Sequence, residues 1–220
     1  MRDTPFSYAC AGCGRCCFHK RIVVSPYEIA RIAAVLALST TEVIARYTSE
    51  GGTILKQRED GGCSLLNGKH CGVHDGRPLV CRLYPLGRVV EKGEREHFVQ
   101  LKGHPESEGT LGEAGTIGGF LESQRTAEYI SASSRYFALF GRLVALIRAR
   151  PAGVETFDRV MIHGTHEAAS DVVELEWLDV DATLARRAVG EIPSDLEARI
   201  ELHLALFERE IATLELQNQA

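Results

Sequence analysis

The sequence predicts an α-rich α+β fold, with a small cysteine-rich region carrying short β-hairpins followed by a helical C-terminal half. Three observations predict it. All seven cysteines lie within the first 81 residues, four of them between Cys10 and Cys17. Asn67-Gly68 and Lys92-Gly93-Glu94-Arg95 each separate short runs of strand character. From Ile117 onward apolar residues recur mostly at helical spacing.

Residues 1–24 are rich in Gly and Cys, show no hydrophobic period and read as coil. Ser25-Pro26-Tyr27-Glu28 is a helix start. Ser25 can cap, Pro26 suits the first helical position and Glu28 completes a capping box. Ile29, Ile32, Ala33 and Leu36 then share one face. Ser39-Thr40-Thr41-Glu42 repeats the signature for a short helix through Tyr47, which Gly51-Gly52 ends. Residues 53–101 are short strands and turns. The hairpin at Asn67-Gly68 folds Cys63 back towards Cys71, and a second hairpin pairs Gly87–Val90 with His97–Leu101. Residues 102–116 are polar and Gly-rich and read as a connecting loop, so the boundary falls between a cysteine-cluster region, 1–115, and a helical region packed on it, 116–220.

In the second half, Phe137, Leu139, Phe140, Leu143, Val144, Leu146 and Ile147 are dense enough for a largely buried helix, stopped by Pro151. A shorter helix is expected at 154–163, and another in the later part of 171–189. Ser194-Asp195-Leu196-Glu197 is a third capping box. It opens a long helix with Leu196, Ile200, Leu204, Phe207, Ile211 and Leu214 on one stripe. There is no internal repeat.

Composition narrows the function. At 45% apolar and 25% charged residues the chain can bury a real core. No apolar run approaches the roughly 18 residues that span a bilayer, and the N-terminus lacks the apolar segment of a signal peptide, so the expected location is the cytoplasm. A reducing compartment disfavours structural disulfides, and seven is an odd number. Crowded cysteines there point to metal or redox chemistry. Residues 1–105 hold 15 Lys+Arg against 10 Asp+Glu, and the remainder holds 10 against 20. The basic half is thus the cysteine half, where cations offset thiolate charge. Scattered basic residues followed by an acidic half argue against nucleic acid as a partner.

Cys10, Cys13 and Cys16 form C-x2-C-x2-C, the spacing of the ligand run in bacterial ferredoxins; two C-x2-C pairs suit zinc instead. Gly12 and Gly14 ease the tight turns. Adjacent Cys16 and Cys17 are expected to point apart, and therefore to serve two neighbouring centres or to leave one thiol free. Arg77 and Arg82 flank Cys81. Either they pair with carboxylates or their N–H groups donate to thiolate or sulfide.

The pattern resembles the YkgJ-like cysteine-cluster family, associated with zinc or iron chelation, over roughly residues 8–120. Its opening matches Cys10, Cys13, Cys16 and Cys17. Its later segment matches Cys63, Cys71, Arg77, Pro78, Cys81, Arg82, Tyr84 and Pro85. A similar cluster type occurs in flagellin lysine methylases, where an iron–sulfur centre is implied. The resemblance makes all seven cysteines metal ligands. Where the family has an eighth cysteine before a proline, this chain has His104-Pro105, so seven thiols and His104 give two sets of four donors. His74 stands where the family has an aromatic residue, and is a candidate ligand or a donor to one.

Three readings follow. The first is a protein holding an iron–sulfur cluster of the 4Fe–4S type, with room for a second metal. The second is a structural zinc module of an interaction domain. The third is an iron–sulfur enzyme acting on a protein substrate, like the methylases, although no S-adenosylmethionine site is visible. The C-terminal helices could take a protein partner or cover the centre. Gly115–Gly119 lacks the strand and lysine of a nucleotide loop. His163 and His166 lack an acidic partner, and Asp171, Glu174 and Glu176 beside Trp177 read as a solvated helix face.

Overall fold

The computed structural model describes residues 1–91, 96–148 and 177–218. In chain order its elements are β1 (Pro5–Ala9), α1 (Pro26–Leu36), α2 (Thr40–Tyr47), β2 (Thr48–Ser49), β3 (Ile54–Leu55), β4 (Leu66–Asn67), β5 (His70–Cys71), α3 (Leu79–Leu83), β6 (Leu86–Val90), β7 (Glu96–Gln100), β8 (Thr110–Thr116), α4 (Ile117–Ser123), α5 (Ala127–Arg148), α6 (Val180–Arg187) and α7 (Leu196–Gln217). This is the α+β arrangement expected, with antiparallel two-stranded pairs and a helical second half. Two compact units result. One comprises Met1–Ile22 and Lys56–Ser131, and the other Val23–Leu55 and Ala132–Ala220.

The first unit holds all seven cysteines. β1 pairs antiparallel with β8, Tyr8 opposite Leu111, with an irregularity between Pro5 and Ser7. Both segments were expected to be irregular. The pairing was not visible because its partners lie about a hundred residues apart and β8 is exposed throughout. Only Phe6 of β1 is buried, edge-on to Phe120 at 5.0 Å, and one inward residue makes no period.

β4 and β5 form the expected first hairpin, Leu66 opposite Cys71 and Asn67 opposite His70. The two linking residues are therefore Gly68, at φ +61°, and Lys69. β6 and β7 form the second hairpin, from Leu86 opposite Gln100 to Val90 opposite Glu96. Its turn at Lys92–Arg95 lies outside the described residues. Thr116 caps α4 by accepting the Gly119 N–H.

In the second unit two of the three predicted capping boxes form. Ser25 accepts the Glu28 N–H while Glu28 accepts the Ser25 N–H, and Ser39 and Glu42 do the same. α7 differs from expectation. Asp195, not Ser194, is its cap, and accepts the Ala198 N–H at 2.8 Å. Ile200, Leu204, Phe207 and Ile211 of α7 are buried. Trp177 stacks on Phe207 at 4.3 Å with 9° between ring planes.

α5 is amphipathic rather than buried all round. Ala132, Tyr136, Leu139 and Leu143 face inward, while Phe137 is 80% exposed. α6 lies in the later part of 171–189, as expected. The predicted stop at Pro151, the helix at 154–163, His163, His166, Asp171, Glu174 and Glu176 lie outside the described residues. Among the described residues no helix is long and apolar enough to cross a membrane.

Candidate metal centre

Three segments of the first unit bring the cysteines together. Cys10 follows β1. The chain then turns through Gly12 (φ +66°) and Gly14 (φ +71°) into a single 3₁₀ turn, Arg15–Cys17. Gly14 is required twice over. Its φ favours glycine, and a Cβ there would lie 2.4 Å from the Lys69 carbonyl oxygen at the tip of the β4–β5 hairpin. That hairpin thus sits directly on the cysteine turn. The second segment is fastened by backbone bonds, Cys63 N–H to Cys17 O at 2.9 Å and His19 N–H to Gly61 O at 2.8 Å. Cys71 lies on β5, and Cys81 on the short helix α3 behind Pro78.

All seven are free thiols. Cys10 is exposed and the other six are partly buried. Cys16 and Cys17 do not diverge as adjacency suggested, since their side chains share a hydrogen bond. The bond from Cys17 draws the Cys16 thiol down to about 7, and Arg77 and Lys20 assist against the cost of burial. The same bond, burial, and the nearby Cys16, Cys71 and Cys81 push Cys17 up. Burial likewise raises Cys63 and Cys71, opposed by the backbone N–H groups of Leu65 and Val73. Cys17 thus lies within electrostatic reach of Cys16, Cys71 and Cys81, and Cys63 within that of Cys16 and Cys71. The Cys10 sulfur accepts the Gly12 N–H at 3.4 Å, and Cys10 and Cys16 both act on Tyr8.

The donor set fits a thiophilic metal. Amides two residues on approach the sulfurs of Cys10, Cys63 and Cys71, and such bonds favour the thiolate over the thiol. Like-charge repulsion among half-buried sulfurs is what a bound cation relieves. Among the described residues no group of three or more His, Cys, Asp or Glu side chains is placed so that it could hold a metal ion.

Arg82 is buried, at 5% exposure, and its N–H groups go to oxygen: the carbonyls of Arg77 (3.1 Å), Gln124 (2.9 Å) and Asp75, and the Tyr129 hydroxyl (2.8 Å). Its guanidinium also lies over the Tyr129 ring at 4.2 Å. Arg82 thereby clamps the Cys81 segment to the corner between α4 and α5. Arg77 donates to the Gln124 side-chain oxygen at 2.7 Å and to the His74 carbonyl, and its guanidinium faces His74 Nδ1 at 3.1 Å. His74 is exposed, and burial and Arg77 lower its pKa.

His104 lies on a strap running over the cysteine turn. Its N–H donates to the Tyr84 hydroxyl at 3.1 Å, and its Nδ1 accepts the Glu106 N–H at 3.1 Å. Arg15, beside Cys16, pairs with Glu106 at 3.0 Å. Tyr8 packs edge-on to Tyr84 at 5.9 Å and hydrogen-bonds Ser107. Tyr8, Gln124 and Tyr129 carried no signal in the sequence, because their roles depend on partners far along the chain.

Residues 9–102 match the family model CxxCxxCC, described as "Putative zinc- or iron-chelating domain". An uncharacterised protein of Methanocaldococcus jannaschii is 36% identical over 92 residues, covering 40% of this chain and 50% of that protein. The chain thus spans half the length of the curated relative it matches. No solved structure matches. The matched segment contains every cysteine and the turns that gather them. Over residues 9–102, less than half of its length, the chain is thus similar to domains described as zinc- or iron-chelating.

Proposed function

We propose that the chain holds an iron–sulfur cluster, of the 4Fe–4S type, through its cysteines. The observation that carries this reading is that five partly buried cysteines outside any disulfide, Cys16, Cys17, Cys63, Cys71 and Cys81, come from three segments of one unit, with Cys63 N–H bonded to Cys17 O at 2.9 Å. That is more sulfur than one tetrahedral zinc ion uses. The backbone N–H groups aimed at Cys63 and Cys71 are of the kind that tune cluster potential. When bound, such a cluster supplies one-electron redox chemistry or a rigid structural node.

Cys10 and Cys13 lie on the outer turn and would serve a second metal. His104 is the eighth candidate donor. With Nδ1 accepting the Glu106 N–H, the neutral ring carries its proton on Nε2. Ligation through Nε2 therefore moves that proton to Nδ1 and breaks the Glu106 bond. Zinc is the second reading, favoured by the family description, which names it beside iron.

The test is anaerobic purification followed by iron, zinc and acid-labile sulfide analysis. Broad sulfide-to-iron absorption, with iron and sulfide in equal amounts, supports the first reading. A colourless protein with stoichiometric zinc replaces it with the second. A chain binding neither metal defeats both.

A further inference from the structure

The tip of the β4–β5 hairpin is seated on the outer cysteine turn at two points. The Lys69 carbonyl oxygen leaves no room for a Cβ on Gly14. A Cβ on Gly12 would lie 3.6 Å from Nδ1 and 3.7 Å from Cε1 of His70. The His70 ring thus lies just outside Gly12, and Nδ1 is its nitrogen nearer the turn. Cys13 stands between these two glycines. The Cys10 sulfur accepts the Gly12 N–H at 3.4 Å. One residue, Gly12, is therefore met by a cysteine sulfur on its amide side and by an imidazole beside its α-carbon.

The other histidines of this unit are differently engaged. His104 Nδ1 accepts the Glu106 N–H at 3.1 Å, and His74 Nδ1 faces the Arg77 guanidinium at 3.1 Å. His97 Nδ1 lies 3.8 Å from a Glu91 carboxylate oxygen, and the His19 ring covers Gly61. His70 is exposed, and among the described residues its ring has no hydrogen bond or ion pair. It can take up a cation without giving up a bond, whereas His104 must surrender one.

We propose that His70 is a metal ligand, forming with Cys10 and Cys13 an outer centre for a zinc-like divalent cation. The inference rests on the metal-binding reading and deepens it by naming the nitrogen donor of the second metal. A C-x2-C pair joined by an imidazole is a donor set that such an ion takes. The side chains as they stand do not enclose an ion. Cys10 and His70 are both exposed, so little packing opposes the χ rotations that close the site. The glycine contacts meanwhile hold the hairpin tip on the turn. A side chain at Gly14 would push that tip, and His70 with it, away from Cys10 and Cys13.

The experiment is anaerobic titration of the reduced, metal-free full chain with Zn²⁺ against a chromophoric chelator. It is paired with ¹⁵N NMR of the histidine ring nitrogens and with thermal melts of the metal-free protein. In the parent, one zinc-uptake event should shift a ring-nitrogen signal that is missing from His70→Gln. His70→Gln should weaken that event about a hundredfold, the upper end of what disturbing a metal site costs, with metal-free melting unchanged. Cys13→Ser should weaken the same event. His70→Cys, which supplies a thiolate instead, should stay within about tenfold of the parent. Parent-like zinc binding in His70→Gln overturns the proposal, as does a zinc-induced shift on His104 with none on His70. Weaker binding in His70→Gln that comes with lower metal-free melting and is not restored by His70→Cys makes His70 a scaffold residue, and overturns it too. In each of these cases the parent still binds zinc and the metal-binding reading stands. If the parent chain takes up no zinc, that reading fails and takes this inference with it.

Discussion

The cysteine unit and the helical unit are stabilised by different physics. The helical unit contains most of the largest fully buried side chains among the described residues, including Trp177, Tyr27, Phe207, Ile29, Ile32, Leu184, Ile200 and Ile211; Leu121 and Tyr129 are those of the cysteine unit. Apolar burial of this kind needs no ligand. The cysteine unit is built from two-residue strands, turns at positive φ and a buried arginine, around thiols that repel when ionised. A fold of that composition gains most from an ion at its centre. The helices thus hold themselves, whereas the cysteine unit is organised around what it binds.

The largest effect expected from this contrast is on metal removal. Stripping the metal anaerobically should speed amide hydrogen exchange on the order of a hundredfold or more in 1–22 and 56–91, and leave α7 unchanged. Similar acceleration in both units would break the comparison. Next in size is Phe207→Ala, which removes a fully buried ring stacked on Trp177. It should cost the helical unit about 3–5 kcal/mol in denaturant melts followed by helical circular dichroism, with metal content per folded chain unchanged.

The smallest of the three is a pH effect. His203 is wholly buried between Tyr136, whose hydroxyl lies 2.8 Å from Nδ1, and Trp177. Burial pulls its pKa down to about 4 from an ordinary 6.5, against a weaker opposing field from Asp179. The unfolded chain therefore binds this proton first as pH falls. Stability is complete above about 6.5, declines as pH drops and levels off below about 4, a loss of up to about 3 kcal/mol. Melts across that range, read by Trp177, the single tryptophan, should show the slope, and His203→Gln should flatten it. The same slope in both proteins would assign it elsewhere.

What could be read in advance was local. The boxes at Ser25 and Ser39 form because their partners are three residues away. The hairpin carrying Cys71 forms because Gly68 accepts positive φ. The α7 cap slipped by one residue because Ser194 and Asp195 are both competent caps and local sequence does not choose between them. The arginine clamp was out of reach, since its acceptors are backbone carbonyls at 75, 77 and 124 that no residue type announces. The Cys16–Cys17 contact was hidden too. The expectation that neighbours diverge holds for regular strands and helices, not for a single 3₁₀ turn.

One bridge has a consequence for topology. Val23 pairs antiparallel with Ile54, and the Val24 N–H reaches the Thr53 carbonyl at 2.9 Å. The segment from Val23 to Leu55 therefore leaves and re-enters the cysteine unit at neighbouring points, as an insertion does. Replacing it by a short link from Ile22 to Lys56 would leave every cysteine, the β1–β8 pair and the arginine clamp on one continuous chain. Isolating the cysteine unit by gene surgery thus takes that one link and one cut after Ser131, even though its sequence is split in two.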